Sequence, residues 1–315
     1  RFAGNSYREF KSSLNNLIND GMTDLVLDLR QNGGGLMDVA IKIADEFLEK
    51  NKLMVFTKNN KNQIDEFFAT STGSFEKGGL YVLIDENSAS ASEIVSGALQ
   101  DNDKGTIIGR RSFGKGLVQV EKDLGDGSAV RLTIARYYTP TGRSIQKPYA
   151  KGEKGNYYKD YQKRVINGEL LNKDSIKVVD SLQFKTPKGK IVYGGGGIIP
   201  DVFVAIDTAS YMSNFYFNTV NNFAFNYVDN KRKELSKWTL DNFIVNFDTD
   251  KIVLDSYFSK IKDKVNPSFK TKESIKKYLK TAIAKELFGD IGFYKVIHQD
   301  DKMLQKVLEL ESQQE

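Results

Sequence analysis

Three short stretches carry residue types that can do chemistry. Ser88-Ala-Ser-Ala-Ser-Glu93 places three hydroxyls, on Ser88, Ser90 and Ser92, between a short apolar run and a segment of helical period. A serine at a strand-to-helix junction can expose its oxygen while the next N–H points at the same space. That is the arrangement of a nucleophile with half an oxyanion hole. The stretch also reads as simple N-capping by Asn87, Ser88 or Ser90, with Glu93 available for a capping box, and on its own this is the stronger reading. Asn32-Gly-Gly-Gly35 occupies a similar junction. Glycines there allow close backbone approach, and a helix N-terminus offers free N–H groups to an anion. A tight turn needing positive φ would use the same glycines.

The third stretch, Gly109-Arg-Arg-Ser-Phe-Gly-Lys-Gly116, nearly matches the phosphate-binding pattern G-x-x-x-x-G-K-[ST]. Gly116 has no hydroxyl for Mg²⁺, and the following Leu117-Val-Gln-Val-Glu alternates like a strand where that pattern opens a helix. A nucleotide loop is therefore disfavoured. Lys115 has another use. A free lysine is mostly protonated at neutral pH, but a water-poor site disfavours the charged form. A neutral amine can then take a serine's proton. The plainer reading is a surface lysine with a solvated tip. Gln119, four residues on, can orient such an amine.

Composition narrows the chemistry. The 315 residues include no cysteine, which excludes disulfides, thiolate metal sites and a cysteine nucleophile. The single histidine is His298, so a multi-histidine metal site is excluded and any Ser-His-Asp triad must use that residue. It lies in a charged, helical stretch and reads as an ordinary histidine. A net charge of +5 spread over the chain is weak support for nucleic acid binding. No run of about 18 apolar residues is present to span a membrane.

The elements that must position these residues follow from period and glycine. Of 26 glycines, only Gly289 and Gly292 follow Gly197. The first two-thirds therefore reads as strands and tight turns, and the last third as helices, with a boundary near Ile206. Asn5 to Asn19 has Phe10, Leu14, Leu17 and Ile18 at helical spacing. Asp24 to Arg30 reads as a buried strand, Gln31 to Gly35 as its break, and Leu36 to Leu48 as a helix. Leu80 to Ile84, Asp85 to Ser90 and Ala91 to Leu99 repeat strand, turn and helix, which argues for an α/β layered unit. Thr106 to Ile108 and Leu117 to Val120 read as strands. Gly125-Asp-Gly127 reads as a hairpin turn, with Ser128 to Tyr138 returning. Residues 147–193 show little period and read as an insertion rather than core. A last strand is expected near Val204. Beyond 206, an aromatic stripe (Tyr211, Phe215, Tyr216, Phe217, Phe223, Phe225, Tyr227) reads as helical core. Helices are expected over Lys251–Lys264, Lys272–Phe288 and Asp300–Glu311.

Four blocks in order resemble the carboxy-terminal processing peptidases, serine proteases of family S41. They are Leu27-Asp-Leu-Arg-Gln-Asn-Gly-Gly-Gly-Leu36, Ser88 to Ile94 with Gly97-Ala-Leu-Gln-Asp101, Gly109 to Gln119, and Tyr138-Thr-Pro-Thr-Gly-Arg-Ser-Ile145. Ile198-Ile-Pro-Asp201 matches the family's usual close. Single blocks are weak, but the ordered set over residues 1–146 and 194–204 is specific. The resemblance implies an α/β fold, a crotonase/ClpP-like protease core of strand-strand-helix units over 1–206; the 147–193 insertion and the α-helical domain over 207–315 depart from the family's minimal core. It implies a serine endopeptidase that cleaves proteins near their C-termini through an acyl-enzyme. The family's lysine follows its serine by 25 positions, which pairs Ser90 with Lys115. The family's glutamine then falls on Gln119. Ala91 and either Gly34 or Gly35 take the oxyanion-hole positions, and Glu93 and Asp101 become supporting acids. No metal or cofactor is expected.

Implied partners are proteins with accessible C-termini, with adaptor docking or self-association through the helical region and no nucleic acid. The family normally carries an upstream PDZ domain that captures a C-terminus by adding a strand to a sheet edge. None is visible in this chain. A start at Arg1, without Met or leader, is expected of a piece of a longer bacterial precursor placed in the periplasm or cell envelope. The competing expectation is a non-catalytic peptide- or ligand-binding scaffold on the same fold.

Overall fold

The computed structural model describes residues 1–149, 159–208, 212–249, 251–261 and 267–313. The chain divides into two units, Arg1–Ile206 and Asp207–Glu315. The first is mixed α/β. Its strands β1 (Asp24–Asp28), β4 (Gly79–Ile84), β5 (Thr106–Gly109) and β10 (Val202–Phe203) form a parallel sheet in the order β1-β4-β5-β10. Leu80 to Ile84 are all buried, as a parallel strand covered on both faces requires. Parallel neighbours need crossovers, and helices α2 (Met37–Asp45) and α3 (Ala91–Asp101) lie in them. Val39 and Ile43 of α2, with Val95 and Leu99 of α3, pack with Val82, Ile84 and Ile107 of the strands. Each such side chain contributes about 1.5–3 kcal/mol when fully buried.

The buried strand expected to reach Arg30 ends at Asp28 and, at the edge of the sheet, has no fully buried residue. Arg30 folds back so that its guanidinium pairs with the Asp28 carboxylate at 2.7 Å. Helix α1 (Ser6–Asn19) buries Leu14 and packs Phe10 and Ile18 on the core, but Leu17, expected on that face, points outward at 43% exposure. The remaining long strands form an antiparallel sheet. Its order is β3 (Ile64–Phe68), β2 (Leu53–Asn59), β7 (Ala129–Tyr138), β6 (Leu117–Asp123). The β2–β3 hairpin was not anticipated, because β3 is largely exposed on both faces and shows no clean alternation. Gly125 and Gly127 turn the β6–β7 hairpin at φ of 85° and 86°.

Residues 159–193 are more ordered than their composition suggests. They hold helix α4 (Asp160–Ile166) and a hairpin of β8 (Gln183–Lys185) with β9 (Ile191–Tyr193). They also bury Arg164, Glu169, Leu170, Thr186 and Val192.

The second unit is helical: α5 (Asn214–Leu235), α6 (Leu240–Asn246), α7 (Lys251–Lys260), α8 (Phe269–Ile297) and α9 (Lys302–Glu311). Its core joins Tyr216, Phe223, Tyr227, Phe243, Phe247 and Tyr257. The aromatic stripe is only partly core, since Phe215, Phe217 and Phe225 of α5 are exposed; Tyr211 lies outside the described residues. Helix α7 stops at Lys260, and residues 262–264 of the helix expected there also lie outside the described residues. Helix α8 runs on past Phe288, kinked at Gly289, where φ is 68°.

Candidate active site

The turn between β4 and α3 is built by Asp85 and Ser88. Asp85 Oδ1 accepts the N–H groups of Asn87 at 3.0 Å and Ser88 at 3.1 Å, and also that of Gln31 at 3.0 Å. The Ser88 hydroxyl is fully buried. It accepts from Asp85 N at 2.9 Å and donates to the Leu29 carbonyl at 2.8 Å. Ser92 is equally committed, donating to the Asn32 carbonyl at 2.7 Å. Ser90 differs from both. It adopts φ 58° and ψ −115° at the N-cap of α3, and its hydroxyl donates to nothing among the described residues. A non-glycine residue held at such angles costs about 1–3 kcal/mol and persists only where the surroundings over-determine it.

The glycine turn presses on this elbow. The Asn32 carbonyl accepts from Ala89 N at 3.1 Å as well as from the Ser92 hydroxyl, which ties the turn to the elbow's main chain. Gly34 has φ 90°, and a Cβ there would stand 2.8 Å from Ala91 N and 2.8 Å from Ser90 Cβ. Gly35 faces the other way, where a Cβ would strike the Phe2 carbonyl oxygen. Of the two glycines the sequence left open, Gly34 is therefore the one packed against Ser90 and Ala91.

The loop carrying Lys115 is anchored to the same elbow. Phe113 N donates to the Ser88 carbonyl at 2.9 Å. Glu93, one turn into α3, is wholly buried and collects four donors. Its Oε1 accepts from Ser112 Oγ at 2.5 Å and Gly114 N at 2.7 Å. Its Oε2 accepts from Ser90 N at 2.8 Å and Lys115 N at 2.9 Å. Burial pushes this carboxyl above its ordinary range, against the four donors that pull it down. On the carbonyl side, the Tyr137 hydroxyl reaches Lys115 O at 2.5 Å and Ser90 O at 3.2 Å. Glu93 and Tyr137 thus hold the same two residues from opposite ends of their peptide groups. Lys115 is half-buried, and its ammonium has no hydrogen-bond or ion-pair partner among the described residues.

Two expected residues are not brought to this centre. Gln119 lies exposed on β6, with its amide 3.5 Å from Thr133 Oγ1, and no hydrogen bond joins it to Lys115. Asp101 ends α3, roughly 16 Å along the helix from Ser90 at 1.5 Å per residue. There it pairs with fully buried Arg143 at 2.6 Å and accepts from Thr141 Oγ1 at 2.6 Å. His298 follows α8 in the second unit, beside the Tyr294 ring. Among the described residues, no group of three or more His, Asp or Glu is placed to hold a metal ion. Tyr137 and Ser112 were missed by sequence reasoning. Tyr137 adjoins the Tyr138-Thr-Pro block, and its inward place on a strand was the only available signal.

Residues 1–152 match the model of peptidase family S41. Residues 211–289 match a family of unknown function. The chain is 49% identical over 127 residues to a carboxy-terminal-processing protease of Bartonella bacilliformis, covering 40% of this chain and 29% of that protein. It is 39% identical over 147 residues to a carboxyl-terminal-processing protease of a Synechocystis species, covering 47% and 34%. Among solved structures, a photosystem II D1 C-terminal processing protease aligns over 65% of this chain and 40% of its own, at 29% identity and a TM-score of 0.46. The chain spans about a third of the length of these two curated relatives.

Proposed function

We propose that this chain carries a serine endopeptidase centre that cuts proteins near their C-termini. Ser90 is the nucleophile and Lys115 the general base. The observation that carries the reading is the contrast among three neighbouring serines. Ser88 and Ser92 spend their hydroxyls on the fold, while Ser90 sits strained at a helix N-terminus, tied through Glu93 to the lysine's own peptide N–H. In the reaction, the amine form of Lys115 accepts the Ser90 proton as Oγ attacks a peptide carbonyl. The tetrahedral oxyanion is met by the Ala91 N–H and by the turn at Gly34. Lys115 then gives its proton to the leaving amine as the C–N bond breaks. Water, deprotonated by the same amine, releases the acyl group and returns the proton to Ser90. One oxyanion donor is worth about 3 kcal/mol in the transition state.

Gln119 serves as an orienting amide once substrate is bound, and Asp101 supports α3 through Arg143 rather than by proton transfer. The first unit is a crotonase/ClpP-like protease core with 147–193 inserted, and the second is a helical domain for adaptor docking or self-association. The setting is the bacterial periplasm or cell envelope, and an upstream PDZ domain belongs to the full protein. The test is incubation of the chain with an unfolded protein ending in an apolar C-terminus, beside Ser90→Ala and Lys115→Ala. Cleavage by the wild type alone is expected. Binding without cleavage would replace this reading with a peptide-binding scaffold.

A further inference from the structure

Residues 159–169 reach the back of the loop that presents Lys115. Arg164 of α4 is almost fully buried. Its Nη2 donates to the Ser112 carbonyl at 2.8 Å and its Nη1 to the Arg111 carbonyl at 3.2 Å. Its Nε faces Asp160 at 3.2 Å and Glu169 at 3.6 Å. Glu169 in turn grips Arg111 with two bonds of 2.6 Å. The loop's other flank is held as well: Lys147 lies over the Phe113 ring at 3.7 Å and faces Asp160 at 3.5 Å.

From Ser112 the connections run forward. Its hydroxyl accepts from Ile198 N at 2.7 Å, so its own proton is directed at Glu93. Glu93 then holds the N–H groups of Gly114, Lys115 and Ser90. A planar guanidinium suits this place because one rigid fork can serve two successive carbonyls while its charge stays beside the Asp160 and Glu169 carboxylates, with which Nε makes no hydrogen bond.

We infer that Arg164 is a positioning residue for the Lys115 loop, acting through Ser112 and Glu93, and that residues 159–169 serve to hold that loop against the Ser90 elbow. The inference rests on the Ser90–Lys115 reading. It gives a segment that composition marks as peripheral a hold on the reacting pair through two intermediate residues.

Arg164→Lys tests it. Lysine keeps a positive charge facing Asp160 and Glu169 but cannot span both carbonyls. The loop then relaxes, and a misplacement near 1 Å lowers kcat by about 10²-fold. KM stays within about twofold, as for an interaction needed only to align reacting groups. Labelling of Ser90 by a fluorophosphonate slows by the same factor as kcat. Hydrogen exchange at the amides of Gly114 and Lys115 speeds up, while the amides of β4 and the body of α3 keep their rates. Unchanged kcat with unchanged loop exchange overturns the inference. So does exchange that rises everywhere together, which would mark Arg164 as a general structural residue. If the wild type neither cleaves nor labels, the Ser90–Lys115 reading has failed instead, and the exchange experiment still decides whether Arg164 holds the loop.

Discussion

Gly34→Ala tests whether the glycine turn is part of the reacting centre. The new Cβ would stand 2.5 Å from the Ala89 carbonyl oxygen and 2.8 Å from both Ala91 N and Ser90 Cβ. These atoms are main chain or the elbow itself, so no flexible side chain can yield. Reaching ordinary contact at 3.4 Å parts the turn and the elbow by about 0.9 Å. The backbone at φ 90° adds roughly 1–2 kcal/mol for a residue with a Cβ. A displacement near 1 Å costs about 10²-fold in rate, and loss of one oxyanion donor about 10²- to 10³-fold. We therefore expect kcat on an unfolded protein substrate to fall at least about 10²-fold, with KM little changed. The two neighbouring glycines are internal controls. A Cβ on Gly33 meets nothing within 4 Å, so Gly33→Ala should keep kcat within about twofold. A Cβ on Gly35 collides with the Phe2 carbonyl, so Gly35→Ala should lower Tm by loosening the contact of Phe2 with the turn. Folded Gly34→Ala with near wild-type kcat, or Gly33→Ala equally damaged, would refute the reasoning.

Three other outcomes follow from distances already described. Ser90→Gly removes the strain at φ 58°, so urea unfolding should show a gain of about 1 kcal/mol while acylation is abolished; a loss of stability would contradict the strained elbow. Tyr137→Phe keeps the buried ring but frees the carbonyls of Ser90 and Lys115, so kcat should drop about tenfold or more with little change in Tm, and an unchanged kcat would remove Tyr137 from the site. Glu46 gives a pH signature. Burial pushes its carboxyl up, but donors from Lys11, Tyr7 and Ser74 together bring it below its ordinary 4.5. A depressed acid stabilises the fold above pH 4.5 and loses that contribution as pH falls through its folded value. Glu46→Gln should therefore be less stable than the wild type at pH 7, with the gap closing in acid; a gap that widens in acid would refute the assignment.

What could be read from the residues was the part governed by local rules. The apolar run at Leu80–Ile84, the glycines at 125 and 127 and the junction at Ser90 are each announced within a few neighbours. The β2–β3 hairpin was not, because an exposed strand buries too little on either face to leave a period. Phe215, Phe217 and Phe225 were over-read as core, since hydrophobicity alone does not say which side of an aromatic-rich helix is covered. At the candidate site, the residue types were legible but the connections were not. Tyr137 and Arg164 act through main-chain carbonyls, and a carbonyl has the same spelling at every position. The importance of 159–169 depends on charge partners outside it, Arg111 and Lys147, which no local pattern joins to it.

The pieces that hold Ser90 come from widely separated points of the chain: Asn32, Glu93, the Ser112–Lys115 loop, Tyr137 and, through Ser112, Ile198. Synthesis delivers them in that order. A chain that has emerged from the ribosome only as far as α3 already owns the serine but none of the later supports, and the elbow's unfavourable angles relax. Reactivity would then arrive as a late event of folding, after the peptide has closed on itself. On the proposed reading, unfinished copies would be spared by their own incompleteness. Ribosome-held chains ending before Tyr137 should accordingly resist fluorophosphonate labelling, whereas chains extended beyond Ile198 should take it up.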